Sequence, residues 1–233
     1  MKRFILTLLI IPSLLVSQEE INRNLGEFTK LSIYDGINVE LIKSDENKVE
    51  ASGENTRFVV VKNKNGNLKI RLNVQKRFSG DRTMVKLYYK SIYSFIAHEG
   101  SNIFSKDTIK QADLKIKGHT GSRIDIPVEL NSISVTSTAG AKITLRGSST
   151  YLEASSATGS QINARNMVIE DGEVSALSGS MVDVRAESSL EAIARVGGVI
   201  NVHSKTERIT EKVHSLFKEA DAPEDIDDSL TEL

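Results

Sequence analysis

Three arginines recur at intervals of 19 and 20 residues in the second half of the sequence: Arg146, Arg165 and Arg185. Guanidinium groups at a regular spacing suit the binding of anionic glycans or phosphates, because each presents a fork of N–H donors. A second recurring set of polar side chains is typical of a carbohydrate-facing surface and comprises Asp125, Thr144, Asn163, Asp183 and Asn201. The two sets together form our candidate ligand surface.

A simpler interpretation of the arginines is pairing with acidic neighbours, and the sequence favours it. Glu153, Glu173 and Glu191 also recur, six to eight residues after the arginines. Pairing between the two sets would offset the repulsion of three stacked cations. The outer polar set likewise has an explanation that needs no ligand, because residues that face solvent must be polar to keep the protein soluble.

This chain lacks the residues that most catalytic mechanisms require. There is no cysteine, and the four histidines at positions 98, 119, 203 and 214 form no ligand motif. No repeat concentrates acidic residues, and no long insertion interrupts the period to build an active-site wall. We therefore expect no catalytic, cofactor or metal site, and no enzyme.

The residues of the ligand surface are positioned by a repeat. Six segments share a glycine, a small residue, any residue and then Ile or Val, at spacings of 18 to 21, and five of them continue with a polar residue. Their glycines are Gly100, Gly121, Gly140, Gly159, Gly179 and Gly197. A seventh match begins at Gly36. The repeated glycine suggests a corner with positive φ.

Apolar residues occupy every second position on both sides of these glycines, which indicates strands with one buried and one solvent-exposed face. Three positions after the glycine stand Ile124, Ile143, Ile162, Val182 and Ile200. Parallel strands stacked one coil above another satisfy this pattern and place like residues in internal rows. Small residues beside each glycine would keep the tube narrow, and few aromatic residues would fit inside it. The sequence therefore predicts an all-β parallel β-helix, or β-solenoid.

The domain boundaries follow from the extent of the repeat. Residues 31–203 would contain about nine coils, with the irregular first part forming opening coils or an edge-protecting cap. Helical spacing of apolar residues predicts a C-terminal amphipathic helix over 204–220. Aromatic residues cluster between Phe78 and Phe104, and alternation favours an inward orientation over stacking on sugars.

The two ends of the chain have the composition of targeting and solvated segments. Residues 1–17 have the layout of a secretory signal peptide, followed by a lead segment at 18–30. Residues 221–233 form an acidic tail that we expect to be disordered. The mature chain is expected to lack a transmembrane anchor, and its net charge of −1 before processing excludes a generally basic nucleic-acid binder.

The Gly36-Ile37-Asn38 segment and the glycine-marked coils resemble the "putative auto-transporter adhesin, head GIN domain" family. That resemblance covers residues 28–203 and implies an exported, right-handed parallel β-helix of Bacteroidetes type. It carries over no binding or catalytic residues.

Together these observations predict an exported, non-catalytic adhesin or binding module in the periplasm, at the cell surface or outside the cell. Its expected partners are glycans or envelope proteins. The alternatives are a self-associating structural scaffold of the envelope and, less favoured, a polysaccharide-degrading enzyme.

Overall fold

The computed structural model describes residues 21–203, 208–211 and 218–219. Within them, all seventeen strands belong to one continuous sheet, and the only other regular elements are two single-turn 3₁₀ helices, Thr56–Phe58 and Val74–Lys76. The all-β prediction is confirmed. None of the described helices is long or apolar enough to span a bilayer.

Nine short strands make up residues 21–104, which we call the cap region. They are β1 Ile21–Asn24, β2 Lys30–Ile33, β3 Asn38–Lys43, β4 Lys48–Gly53, β5 Val59–Lys64, β6 Asn67–Leu72, β7 Thr83–Tyr89, β8 Ser94–Ala97 and β9 Asn102–Phe104. Longer strands make up residues 109–202, which we call the coil region. They are β10 Ile109–Gly118, β11 Arg123–Ser137, β12 Lys142–Ser156, β13 Gln161–Leu177, β14 Met181–Arg195 and β15 Val199–Val202.

The coil region is a parallel β-solenoid whose neighbouring coils pair in register. Ile143 on β12 lies opposite Ile162 on β13, and each side chain is no more than 1% exposed. The same pairing joins the other members of the predicted row, and burying each such side chain stabilises the fold by about 1.5–3 kcal/mol. The predicted internal rows are therefore confirmed.

Each corner of the solenoid is a two-residue turn with both residues at positive φ. At Thr120-Gly121 the φ values are 50° and 69°, and the amide of Ser122 donates to the carbonyl of His119 at 3.2 Å. These values describe a type I′ turn, whose twist suits adjoining strands and whose second position favours glycine. The predicted role of the repeated glycine is thus confirmed.

Small residues beside the corners let the strands on either side approach closely. A Cβ added to Gly198 would lie 2.0 Å from the carbonyl oxygen of Ala176, so no larger residue fits there. Buried serines fill the neighbouring positions and bond across coils. The hydroxyls of Ser160 and Ser180 donate to the carbonyl oxygens of Ser137 and Ser156, each at 2.7 Å.

The solenoid is shorter than the predicted nine coils. Seven stacked corners in the described residues enclose about six turns. The difference arises because much of the cap region forms antiparallel strands and a long connection instead of further parallel coils. Strand-like alternation is the same in both arrangements, so the period alone overestimated the number of coils.

The cap region covers the first edge of the solenoid. Strands β2 and β3 lie between β6–β7 on one side and β8–β9 on the other, so the spatial order differs from the chain order. The exposed edges of this layer are covered by antiparallel neighbours, β5 on β6 and β4 on β7, with β1 on β4. This arrangement pairs the edges of β6 and β7 within the chain, where they would otherwise be open to strand addition.

The prediction of a C-terminal helix over 204–220 is wrong where the structure describes that segment. Its described residues are β16 Arg208–Glu211 and β17 Lys218–Glu219, which pair in parallel with β14 and β15. An open strand edge offers a row of unpaired backbone groups, and the following chain pairs with it. The signal peptide at 1–17, the start of the lead segment and the tail at 221–233 lie outside the described residues.

Candidate functional site

The predicted outer polar set forms one column across five coils. Asp125, Thr144, Asn163, Asp183 and Asn201 lie opposite one another in successive strands. The upper end of the column is linked by hydrogen bonds: the Asn201 amide nitrogen donates to Asp183 Oδ1 at 3.1 Å, and His203 Nε2 lies 2.9 Å from the same oxygen. Strand alternation places the whole column on the outside of the tube.

The register of the predicted arginine stripe is interrupted in β13. Bulges in β13 shift the register, so that Arg146 lies opposite Asn166 and Arg185 opposite Val168. Arg165 is exposed and is displaced from both. The three arginines therefore do not occupy one in-register column across the coils.

The predicted pairing of these arginines with Glu153, Glu173 and Glu191 is also not what the structure shows. Arg146 pairs with Asp125, and Arg185 pairs with Glu187 at 3.7 Å.

The glutamates form a column of their own. Glu153, Glu173 and Glu191 face one another in adjacent coils and line a shallow groove of about 270 Å³. Burial, a hydrogen bond to Glu173 and the surrounding negative charge raise the pKa of Tyr151 to about 12. The Tyr151 hydroxyl thus stays protonated and donates to this acidic column.

The cap region contains a cleft that was not predicted from the sequence. It has a volume of about 370 Å³ and is lined by Tyr34, Asp35, Lys69, Arg71, Val74, Arg77 and Glu99. Its wall is the connection between β6 and β7, residues 73–82, which takes the place of a two-residue corner. The expectation that no long loop interrupts the coils is therefore wrong at this one connection.

The charges of the cleft are incompletely paired. Asp35 is 2% exposed; its Oδ2 accepts the backbone amide of Leu72 at 3.0 Å, while Oδ1 is buried without a hydrogen-bond partner. Leaving a buried oxygen unpaired costs about 1–3 kcal/mol. Arg77 Nε is 3.8 Å from that oxygen, and Arg77 Nη2 is 3.9 Å from Glu99. Arg77 therefore lies between two carboxylates and hydrogen-bonds neither.

Two further cations at the cleft are exposed. Lys69 and Arg71 form no ion pair with any residue in the described part of the chain. Three cations and two carboxylates together leave the lining with an excess of one positive charge.

A column of rings begins at the cleft and runs along the corners. Tyr34 stacks on His98 at a centroid distance of 4.6 Å, and His98 stacks on His119 at 5.1 Å. Burial, then repulsion from His119 and Lys69, lowers the pKa of His98; burial, then Lys117, lowers the pKa of His119. All three rings occupy the residue before a corner, so aligning the repeats at that position would have revealed the column.

The cap-region aromatic residues divide between core and surface. Tyr89 and Phe95 are at most 2% exposed, whereas Phe78 is 64% and Tyr93 is 53% exposed. The inward orientation predicted from alternation is confirmed only for the first pair.

The capped β-solenoid with polar outer columns defines the class of this protein. The chain belongs to the family described as "Putative auto-transporter adhesin, head GIN domain", which matches residues 27–205. The resemblance inferred from the repeat is therefore confirmed. Among curated proteins, no significant match is found.

Solved structures from Bacteroides and Parabacteroides species share the fold. A "putative adhesin" from Bacteroides fragilis aligns with a TM-score of 0.74 at 17% identity, covering 88% of this chain and 98% of its own. One from Parabacteroides merdae aligns at 0.72 and 14%, covering 87% and 95%. A "putative lipid binding protein" from Parabacteroides distasonis aligns at 0.63 and 12%, covering 87% and 96%.

Proposed function

We propose that this chain is an exported, non-catalytic binding module that contacts glycans or other cell-envelope partners through the outer polar column of its coil region. The observation that supports this function most is the register of that column. Amide, carboxylate and hydroxyl groups recur once per coil, at about 4.8 Å. A rigid row of such groups can meet successive units of an extended polymer.

The chemistry of the column suits polyhydroxylated ligands. Carboxylate oxygens accept hydrogen bonds, and amides both donate and accept, so together they match sugar hydroxyl groups. Asp125 and Asn163 are exposed; Arg146 pairs with Asp125 Oδ1 and the Arg165 amide donates to Asn163 Oδ1, which leaves Asp125 Oδ2 and the Asn163 amide group for a partner. Arg165 is exposed beside them and adds an attraction for anionic groups. The adhesin label of the family agrees with a binding role and favours a non-enzymatic one.

The test is a glycan array probed with purified residues 18–233, followed by affinity measurements on each hit. The variant carries Asp125→Ala and Asn163→Ala, and the control is Glu170→Ala, an exposed change on the same strand as Asn163. We expect the column variant to lose about tenfold or more in affinity, since each lost hydrogen bond costs about 1 kcal/mol. The control should bind normally.

Two results would overturn this function. The first is unchanged glycan binding by the column variant. The second is the absence of any glycan or envelope-protein ligand together with concentration-dependent assembly in light scattering, which would establish the scaffold alternative. Vesicles are included as a third probe, because one structural neighbour is described as a lipid binding protein.

A further inference from the structure

We propose that the cleft of the cap region binds a single acidic sugar unit, a carboxylated monosaccharide residue such as a uronic acid in a polysaccharide. The inference deepens the proposed function, since it assumes a glycan-binding module, but it places the charged unit at a second site. That site is separate from the outer polar column. The shape of the cleft, its cations without an ion pair and its buried carboxylate support this assignment.

The cleft exists because one connection departs from the repeat. Residues 73–82 join β6 to β7 and fold back against the corner at Asp35, where the amide of Gly80 donates to the Asp35 carbonyl at 2.9 Å. A Cβ at Gly80 would lie 2.5 Å from that oxygen, so the approach requires glycine. Phe78 in this connection has a φ of 62°, a strained value for a bulky residue. Strain of this kind concentrates at ligand sites.

The unpaired cations define the charge of the ligand. Lys69 and Arg71 line the cleft without an ion pair in the described part of the chain. Neither is buried, so each is available to a ligand at the mouth. Arg71 Nη1 donates to the Leu72 carbonyl at 3.2 Å, and the remaining N–H donors of the guanidinium can bind a carboxylate. Lys69 adds a second positive charge.

The acids of the cleft show that charge alone is insufficient for binding. Asp35 and Glu99 lie in the same lining and would repel a small bare anion. A ligand that also carries hydroxyl groups turns Glu99 into a hydrogen-bond acceptor. An acidic sugar combines one carboxylate with several hydroxyl donors, and therefore suits both sets of groups.

Arg77 links the bound ligand to the buried oxygen of Asp35. It lies 3.8 Å from Asp35 and 3.9 Å from Glu99, too far for a hydrogen bond to either. When a ligand hydroxyl donates a hydrogen bond to the Glu99 carboxylate, Arg77 can move toward Asp35 and donate a hydrogen bond to its unpartnered Oδ1. Asp35 is thus a positioning residue for Arg77, and ligand binding satisfies a group that is unsatisfied in the free protein.

The size of the cleft suits one acidic sugar ring together with part of the next ring of the polymer. Its volume of about 370 Å³ is at the lower end of small-molecule sites. Tyr34 contributes an aromatic wall, held in place by its stack on His98. Such a ring presents an apolar body for the C–H face of a sugar and a hydroxyl for hydrogen bonding.

Isothermal titration calorimetry on residues 18–233 tests this site. The probes are galacturonic acid dimers, neutral galactose dimers, inorganic phosphate and phosphatidylglycerol vesicles. The variant Lys69→Gln with Arg71→Gln removes two exposed cations, and Lys115→Gln with Arg195→Gln is the control of matched charge on exposed strand positions. We expect the cleft variant to lose about tenfold to 100-fold in affinity for the acidic dimer, as hydrogen bonds to charged groups predict. The control should retain binding.

Asp35→Asn provides an independent measurement, because asparagine keeps an oxygen to accept the Leu72 amide and leaves Arg77 without its buried charge. We expect weaker binding of the acidic dimer with an unchanged unfolding midpoint. Equal affinity for acidic and neutral dimers, binding by phosphate or vesicles that matches the acidic dimer, or unchanged binding by the cleft variant would each overturn the inference. Loss of glycan binding only in the outer-column variant would leave the proposed function standing without this site, whereas no glycan binding at all would remove both.

Discussion

The coil region and the cap region both bury alternating apolar side chains, but their strand pairing differs. The coil region is paired in parallel, whereas the cap region adds antiparallel pairs at its edges. In the coil region each corner is a two-residue turn, each internal row repeats, and the outer surface is shallow. In the cap region one corner is replaced by residues 73–82, and that departure creates a cleft, a buried carboxylate without a full set of partners and a strained Phe78. Regular repetition builds stability, whereas a concave site requires the repeat to be broken.

The largest effect is expected from a charge in the internal rows of the coil region. Ile143→Asp would bury a carboxylate between Ile124 and Ile162 and should cost at least about 4 kcal/mol, enough to prevent folding. Thr144→Asp, one residue further on the outer face, should change stability by less than about 1 kcal/mol. Circular dichroism and urea unfolding would measure both. Similar stability for the two variants would contradict the stacked-row arrangement.

The two regions should differ in how they tolerate the loss of a glycine. Gly80→Ala in the cap region would place a Cβ 2.5 Å from the Asp35 carbonyl oxygen, and we expect a loss of about 2–4 kcal/mol. Gly159→Ala at a coil corner meets nothing within 4 Å, so only its φ of 65° resists the change, at about 1 kcal/mol. Urea midpoints would compare them, and a larger loss at Gly159 would be the contrary outcome.

The ring column should make stability depend on pH. Because the pKa of His98 and of His119 is lowered in the folded chain, the unfolded chain binds these protons more readily. The stabilisation that comes from these two neutral histidines is fully present above their unfolded-state pKa of 6.5. It is lost as the pH falls below 6.5 and passes through their lower folded-state pKa values. We expect lower urea midpoints at about pH 5 than at about pH 7.5.

The control for this prediction is His98→Asn with His119→Asn. It should flatten the pH dependence over that interval while lowering stability at neutral pH through the lost stacking. An unchanged slope would show that other groups are responsible.

The smallest expected effect concerns a corner of the coil region. Val196 is 75% exposed and has a φ of 52°, a conformation unfavourable for a β-branched residue. Val196→Asn should stabilise the chain by about 0.5–1 kcal/mol, because asparagine adopts this conformation with less strain than a β-branched residue. Thermal unfolding would measure the gain, and Val199→Asn, at a strand position beyond the corner, should not reproduce it.

The sequence determined the internal rows of the coil region. Ile143 and Ile162 recur at the coil period because each internal position meets its equivalent in the next coil and must remain apolar. The corner glycines recur for the same reason, since each coil must turn at the same place. The family assignment follows from these constraints, which act within one repeat and are therefore visible in the order of residues.

Tertiary structure alone decided the rest. Whether Arg165 stacks on Arg146 depends on bulges in β13, which a spacing of 19 residues does not reveal. Whether 204–220 is helical depends on the open edges of β14 and β15, which compete for its backbone groups. The cleft joins Tyr34, Lys69, Arg77 and Glu99, which are distant in the chain and follow no period. Only the packing of the cap region brings them together, because their contacts are set by the spatial order of strands and not by the repeat.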